Sequence, residues 1–128
     1  MTNIVIDTNV LVSAALSPTS KPAKIVNLIS NTGKIQVFYS RAILNEYIKV
    51  LAYTRLNITA ETQGIIIDRL QDFGILIEPP ISITPMPDET DRIFYDAAKA
   101  SGSVLITGNV KHFPAEPFIM TPSEFLEI

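Results

Sequence analysis

The 128-residue chain contains no cysteine and a single histidine, His112. Without thiols there is no disulfide framework and no thiolate metal site, so a metal would have to be held by oxygen ligands or by that one imidazole. No run of about 18 apolar residues occurs, which argues against a membrane-spanning helix. The run before the first acid, Asp7, is three apolar residues long, Ile4-Val5-Ile6, too short for a secretion signal. The expected location is the cytoplasm. There is no internal repeat, no low-complexity tract and no run of like charge. Basic residues are in the minority, 10 Lys and Arg against 13 Asp and Glu, for a net charge of −3. That balance argues against a nucleic-acid binder that relies on a basic surface, because phosphate neutralisation by Lys and Arg supplies most of such affinity. It leaves room for an enzyme whose carboxylates meet phosphate through a divalent cation.

What is present is a globular composition, 47% hydrophobic and 18% charged, with the length of one domain spanning residues 1–128. Nine prolines fall mostly at joints between apolar segments. Ile4-Val5-Ile6 reads as a buried parallel strand. Thr8 or Asn9 is positioned to cap a helix through Ala15. A second helix fits Pro22 to Asn31, and Ile35–Tyr39 a second strand. Ser40 caps a helix through about Tyr53, with Ile43, Leu44, Tyr47, Val50 and Leu51 on one face. Thr59 caps the next, ending at Phe73-Gly74. Ile75–Ile77 is a third strand, followed by an irregular proline-rich stretch. Asp88 opens a helix to about Ser101, with Gly102 at its end. Val104–Ile106 is a fourth strand and Phe118–Met120 a short fifth. Thr121-Pro122-Ser123-Glu124 is a capping box that opens a last helix. Alternating short strands and helices predict a three-layer α/β/α fold with a mostly parallel sheet of four to five strands.

In an open parallel sheet, sites form beyond the carboxyl ends of the strands. Two strands here run into polar clusters, Asp7-Thr8-Asn9 and Thr107-Gly108-Asn109. A carboxylate directly after an apolar strand pays desolvation, so Asp7 is either a helix cap or a ligand. Glu46 sits beside the apolar stripe of its helix, as a solvated edge residue or as a second ligand. Asp88 and Asp91 share a face near a helix start, where the helix dipole offsets their repulsion unless a cation does so. Asp96 is expected to turn away from Asp91. Thr107 and Asn109 supply hydrogen bonds without charge, or merely turn chemistry. His112 is either a surface histidine or a phosphate contact. Together Asp7, Glu46 and Asp91 are three carboxylates on three separate elements. Converging, they would make an all-oxygen site suited to Mg²⁺ or Mn²⁺.

Asp7-Thr-Asn-Val-Leu-Val after an apolar strand, a mid-chain helical Glu46, Asp91-x-x-Phe-x-x-Ala-Ala98, Gly102 and Val104-Leu-Ile-Thr-Gly-Asn109 resemble the PIN domain family. The likeness is nearest to the toxin components of VapBC-type toxin–antitoxin systems, and it covers nearly the whole chain. It implies a small metal-dependent ribonuclease, with an antitoxin protein as partner and a homodimeric assembly. Asp7, Glu46 and Asp91 match its acidic metal ligands, and Asp88 an optional further one. Thr8, Asn9 and Thr107 match its polar site lining. The sequence departs from the pattern where relatives commonly carry a fourth acid: Asn109 and His112 stand there. Three acids can still hold one ion; a second ion, and a symmetric two-metal mechanism, would need Asp88 to stand in for the missing acid.

The expected activity is hydrolysis of RNA phosphodiester bonds, with Glu46 binding the ion or deprotonating the attacking water. Lys21, Lys24, Arg41 and Lys111 are candidates for steering single-stranded RNA. Two other readings compete. One is a degenerate PIN fold that binds nucleic acid or protein without catalysis. The other is a haloacid-dehalogenase-type phosphatase, which needs a second Asp where Asn9 stands. Ile65-Ile66-Ile67, apolar around its helix, either packs in the core or meets another copy.

Overall fold

The computed structural model describes residues 2–30 and 33–128. Five strands, β1 (Thr2–Ile6), β2 (Ile35–Tyr39), β3 (Ile75–Leu76), β4 (Val104–Ile106) and β5 (Ile119–Met120), form one sheet in the order β3-β2-β1-β4-β5. Every neighbouring pair is parallel, and helices cover both faces. Among the described residues there are six α-helices: α1 (Thr8–Leu16), α2 (Lys21–Asn27), α3 (Arg41–Leu51), α4 (Ala60–Phe73), α5 (Arg92–Ser101) and α6 (Pro122–Leu126). Ile4, Val5 and Ile6 are fully buried, as a central strand covered on both faces requires. The strand order reverses direction between β1 and β4, which makes the gap beyond their carboxyl ends the topological switch point of the sheet.

Hydroxyl and carboxylate caps set the helix starts, each accepting a backbone N–H that the first turn cannot satisfy internally. Ser40 accepts from Ile43, Thr59 from Thr62, and Thr121 from Glu124 in a complete capping box. The cap of α1 is Asp7 rather than Thr8 or Asn9, because Asp7 is the last extended residue and its carboxylate reaches the Thr8 N–H. The second helix is shorter than its pattern suggested. It starts after the Ser20 cap and ends at Asn27; the expected last residue, Asn31, lies outside the described residues. The helix expected from Asp88 is split. Asp88 caps a 3₁₀ turn, Glu89–Asp91, and α5 begins only at Arg92.

Between β3 and α5 the proline-rich chain runs extended along α5. Arg92 fastens it by donating to the Ser82 carbonyl (2.8 Å), the Ser82 hydroxyl (2.9 Å) and the Thr84 carbonyl (2.7 Å). Asp96 accepts the Ser82 N–H at 3.2 Å. Of the Ile65–Ile67 run, Ile66 belongs to the core, Ile67 packs partly against it, and Ile65 is exposed.

Candidate active site

Asp7 stands where β1 becomes α1, and it is buried. Its Oδ1 accepts the Thr8 N–H at 2.8 Å; its Oδ2 accepts the Thr107 hydroxyl at 2.7 Å and the Asn9 amide at 3.3 Å. The two strand ends are laced together further. Asn9 Oδ1 accepts the Gly108 N–H at 3.1 Å, and Thr107 Oγ1 accepts the Asn109 N–H at 3.0 Å. Threonine at 107 and asparagine at 9 thus hold an anion in place without adding charge. Burial pushes the Asp7 carboxyl above its ordinary value, the hydrogen bonds from Thr107 and Thr8 oppose that rise, and the Glu46 charge adds to it.

Glu46 is partly buried on α3, one residue before Tyr47. The Tyr47 hydroxyl donates to the Ile6 carbonyl, and its buried ring lies 6.3 Å from that of Phe94. This bond ties the Glu46 turn of α3 to the residue preceding Asp7. The Glu46 charge adds, as the smallest of the causes, to the rise of both the Asp7 and the Asp91 carboxyls, which puts it within electrostatic reach of both.

Asp91 closes the 3₁₀ turn with its side chain only 18% exposed. Its Oδ2 is buried and, among the described residues, accepts no hydrogen bond. His112 Nδ1 lies 3.8 Å from that oxygen. Burial first, and then repulsion from Asp7, Asp88 and Glu46, pushes the Asp91 carboxyl up to about 6, against the opposing pull of His112. Asp88 is exposed, and its Oδ1 is occupied by the Thr90 N–H (3.0 Å) and hydroxyl (2.8 Å). Those bonds hold its carboxyl below the ordinary value. Thr8 contributes a second buried oxygen without a partner.

The sequence-predicted residues therefore share one neighbourhood, but unequally. Asp7, Thr8, Asn9, Thr107 and Asn109 are joined by hydrogen bonds. Asp91 and Glu46 join them through charge, and His112 by approach to Asp91. Among the described residues, no group of three Asp, Glu or His side chains is drawn together tightly enough to hold a metal ion. The expected cage of Asp7, Glu46 and Asp91 is thus not pre-formed. Like charges in a partly desolvated crevice repel, and the Asp7 oxygens already have neutral donors. The unpartnered, buried Asp91 oxygen is nevertheless what a cation would satisfy.

Sequence reasoning missed three residues. Tyr47 looked like core, yet its hydroxyl fixes the β1 end; a phenol on a buried stripe is the one available signal, since buried Tyr hydroxyls seek acceptors. Arg92 and Asp96 were not expected to clamp the strap that leads into Asp88. Of the cations expected to steer RNA, Arg41 pairs with Glu78 at 3.4 Å and Lys21 donates to Ser123 at 2.8 Å. Lys24 and Lys111 form no ion pair or side-chain hydrogen bond among the described residues.

Residues 3–111 match the sequence profile of the PIN domain. The chain belongs to the PIN domain family. It is 32% identical over 109 residues to the uncharacterized protein MJ1680 of Methanocaldococcus jannaschii, a match that covers 83% of this chain and 70% of the relative. The fold is similar to that of VapBC2 from Rickettsia felis, solved bound to a DNA fragment from its promoter (TM-score 0.58, 14% identity, 93% of this chain and 96% of that one). It is also similar to PAE2754 from Pyrobaculum aerophilum (TM-score 0.60, 15% identity, 98% and 88%). PIN domains are in general divalent-metal-dependent nucleases. Membership leaves the phosphatase reading without support, and Asn9, where that chemistry needs an acid, is committed to Asp7 and Gly108.

Proposed function

We propose that this PIN domain, spanning residues 1–128, is an Mg²⁺- or Mn²⁺-dependent endoribonuclease and the toxin of a toxin–antitoxin pair. The observation that carries the reading is the buried Asp91 oxygen with no donor, set among Asp7, Asp88 and Glu46, whose charges raise its carboxyl. Asp7 and Asp91 would bind the ion directly, and Asp88 is an optional further ligand. Once bound, a divalent cation supplies positive charge against the phosphate under attack.

The chain's own groups do the rest. The Thr107 hydroxyl and the Thr8 N–H orient the Asp7 carboxylate. Glu46 holds the attacking water and accepts its proton at a carboxylate oxygen. Thr8, Asn9, Asn109 and His112 line the approach. The antitoxin and a homodimeric assembly are expectations from the VapBC likeness; the Rickettsia felis complex supports the first. A cytoplasmic site of action fits a chain with no helix, among the described residues, long and apolar enough to cross a membrane.

The test is Asp7→Asn, which keeps the shape and the helix cap while removing the charge. RNA cleavage in Mn²⁺ is expected to fall by about two orders of magnitude or more. Cleavage at the wild-type rate overturns the mechanism. A catalytically silent binding module, the competing reading, predicts no Mn²⁺-dependent cleavage by the wild-type protein either.

A further inference from the structure

The acids of the site lie unevenly around it. Asp88, Glu89 and Asp91 come from the 3₁₀ turn before α5, and Glu46 from α3. Beyond the ends of β4 and β5 lies a groove of about 340 Å³, lined by Gly108, Asn109, Val110, Lys111, His112 and Thr121. None of these six residues is acidic. The groove adjoins the site: the Asn109 N–H is held by the Thr107 hydroxyl that also binds Asp7, and His112 approaches Asp91 to 3.8 Å. Glu124, the acid closest along the chain, is turned back onto the Thr121 N–H at 2.9 Å.

A polyanion cannot run along the carboxylate side of the site without meeting its field, and it approaches from the side where that field is weakest. Six of the other nine Lys and Arg are engaged: Arg92 by Glu89 and the strap, Arg41 by Glu78, Arg69 by Asn27, Lys21 by Ser123, Arg55 by the Tyr53 ring and Lys99 by Tyr95. Lys111 is exposed in the groove and forms no ion pair or side-chain hydrogen bond among the described residues. We propose that this groove receives the nucleotide next to the cleaved bond of a single-stranded RNA, with its flanking phosphate on Lys111 and the Asn109 amide against its sugar or base. Its volume is near the lower end for ligand pockets and suits one nucleotide unit rather than a duplex. The inference rests on the nuclease reading above and adds where the strand lies.

Binding of a fluorescein-labelled oligouridylate, followed by anisotropy in EDTA, reads the groove without cleavage. One lost phosphate contact on a single strand flattens the plot of log affinity against log salt by about 0.7, which is roughly fivefold in affinity at about 0.1 M salt. Lys111→Ala is expected to show both changes, and Lys111→Arg to restore both. Lys34→Ala, at the opposite end of the sheet where Thr2 bonds the Lys34 carbonyl, is expected to change neither. Asn109→Ala is expected to weaken binding with the salt slope unchanged. If Lys111→Ala matches the wild type in both measures, if wild-type protein does not bind at low salt, or if a labelled duplex is affected equally, the proposal is overturned. The nuclease reading is judged separately, by loss of Mn²⁺-dependent cleavage in Asp7→Asn, so the two can fail independently.

Discussion

Asp91 is a residue whose surroundings work against its own charge. Its folded value of about 6 lies above the ordinary 3.8, so between those two pH values the folded chain keeps a proton that the unfolded chain has lost. Stability from this group is therefore present at low pH and declines as pH rises through that window. Asparagine mimics the protonated acid and carries no penalty at higher pH. In EDTA, urea melts of Asp91→Asn are expected to match the wild type near pH 4 and to show a variant progressively more stable up to about pH 7. A difference that stays flat with pH would show that Asp91 is not under electrostatic stress. The lesson at this scale is that residue types were readable and their states were not. The chain order makes Asp7, Glu46 and Asp91 stand out as acids beside apolar segments. Nothing in it shows that Asp7 is satisfied by Thr107, one hundred residues away, while Asp91 has no donor.

At the scale of elements, the sequence marked starts better than ends. Ser40, Thr59 and Thr121 cap helices as their spacing predicts, because a cap is a local bond between a side chain and the N–H three residues on. Ends depend on what the chain meets next. The second helix stops at Asn27, short of its apolar pattern, whereas the ends at Phe73 and Ser101 fall where Gly74 and Gly102 mark them; one start shifts too, the helix expected at Asp88 yielding its first turn to a 3₁₀ segment. That turn places Asp91 at the mouth of α5, with its side chain free of any cap bond. Gly74 shows how an end can depend on packing instead of conformation. Its φ of −88° is open to any residue, yet a Cβ there would meet the Leu70 carbonyl and come within 2.8 Å of the Tyr39 ring. Tyr39 ends β2, so the close approach locks α4 onto the sheet. Gly74→Ala is expected to cost about 1–3 kcal/mol through forced displacement, seen as a lower urea midpoint with an unchanged slope. No loss would mean that both the Leu70 carbonyl and the Tyr39 ring give way freely.

At the scale of the whole molecule, the sheet order was not legible, although its strands were. Short apolar runs announce buried parallel strands, but their lateral order is fixed by crossovers of many residues and by which faces the helices can cover. Placing β1 between β2 and β4 is what brings Asp7 beside Thr107, with Glu46 on α3 and Asp91 on the 3₁₀ turn before α5 close enough for their charges to act on one another. The arrangement holds negative groups apart by backbone topology, so a bound cation would stabilise the folded chain as a unit. Linkage gives that stabilisation a size: at a free Mn²⁺ concentration about 100 times the dissociation constant it is about 2.7 kcal/mol. For a chain of this length, that raises the thermal midpoint by roughly 10 °C. Calorimetry of the wild-type protein with and without Mn²⁺ is expected to show a shift of this order that saturates, and Asp7→Asn and Asp91→Asn are each expected to lose most of it. A shift of equal size in either variant would place the ion elsewhere on the molecule, and the carboxylates at the switch point would then be an electrostatic burden without a ligand to relieve it.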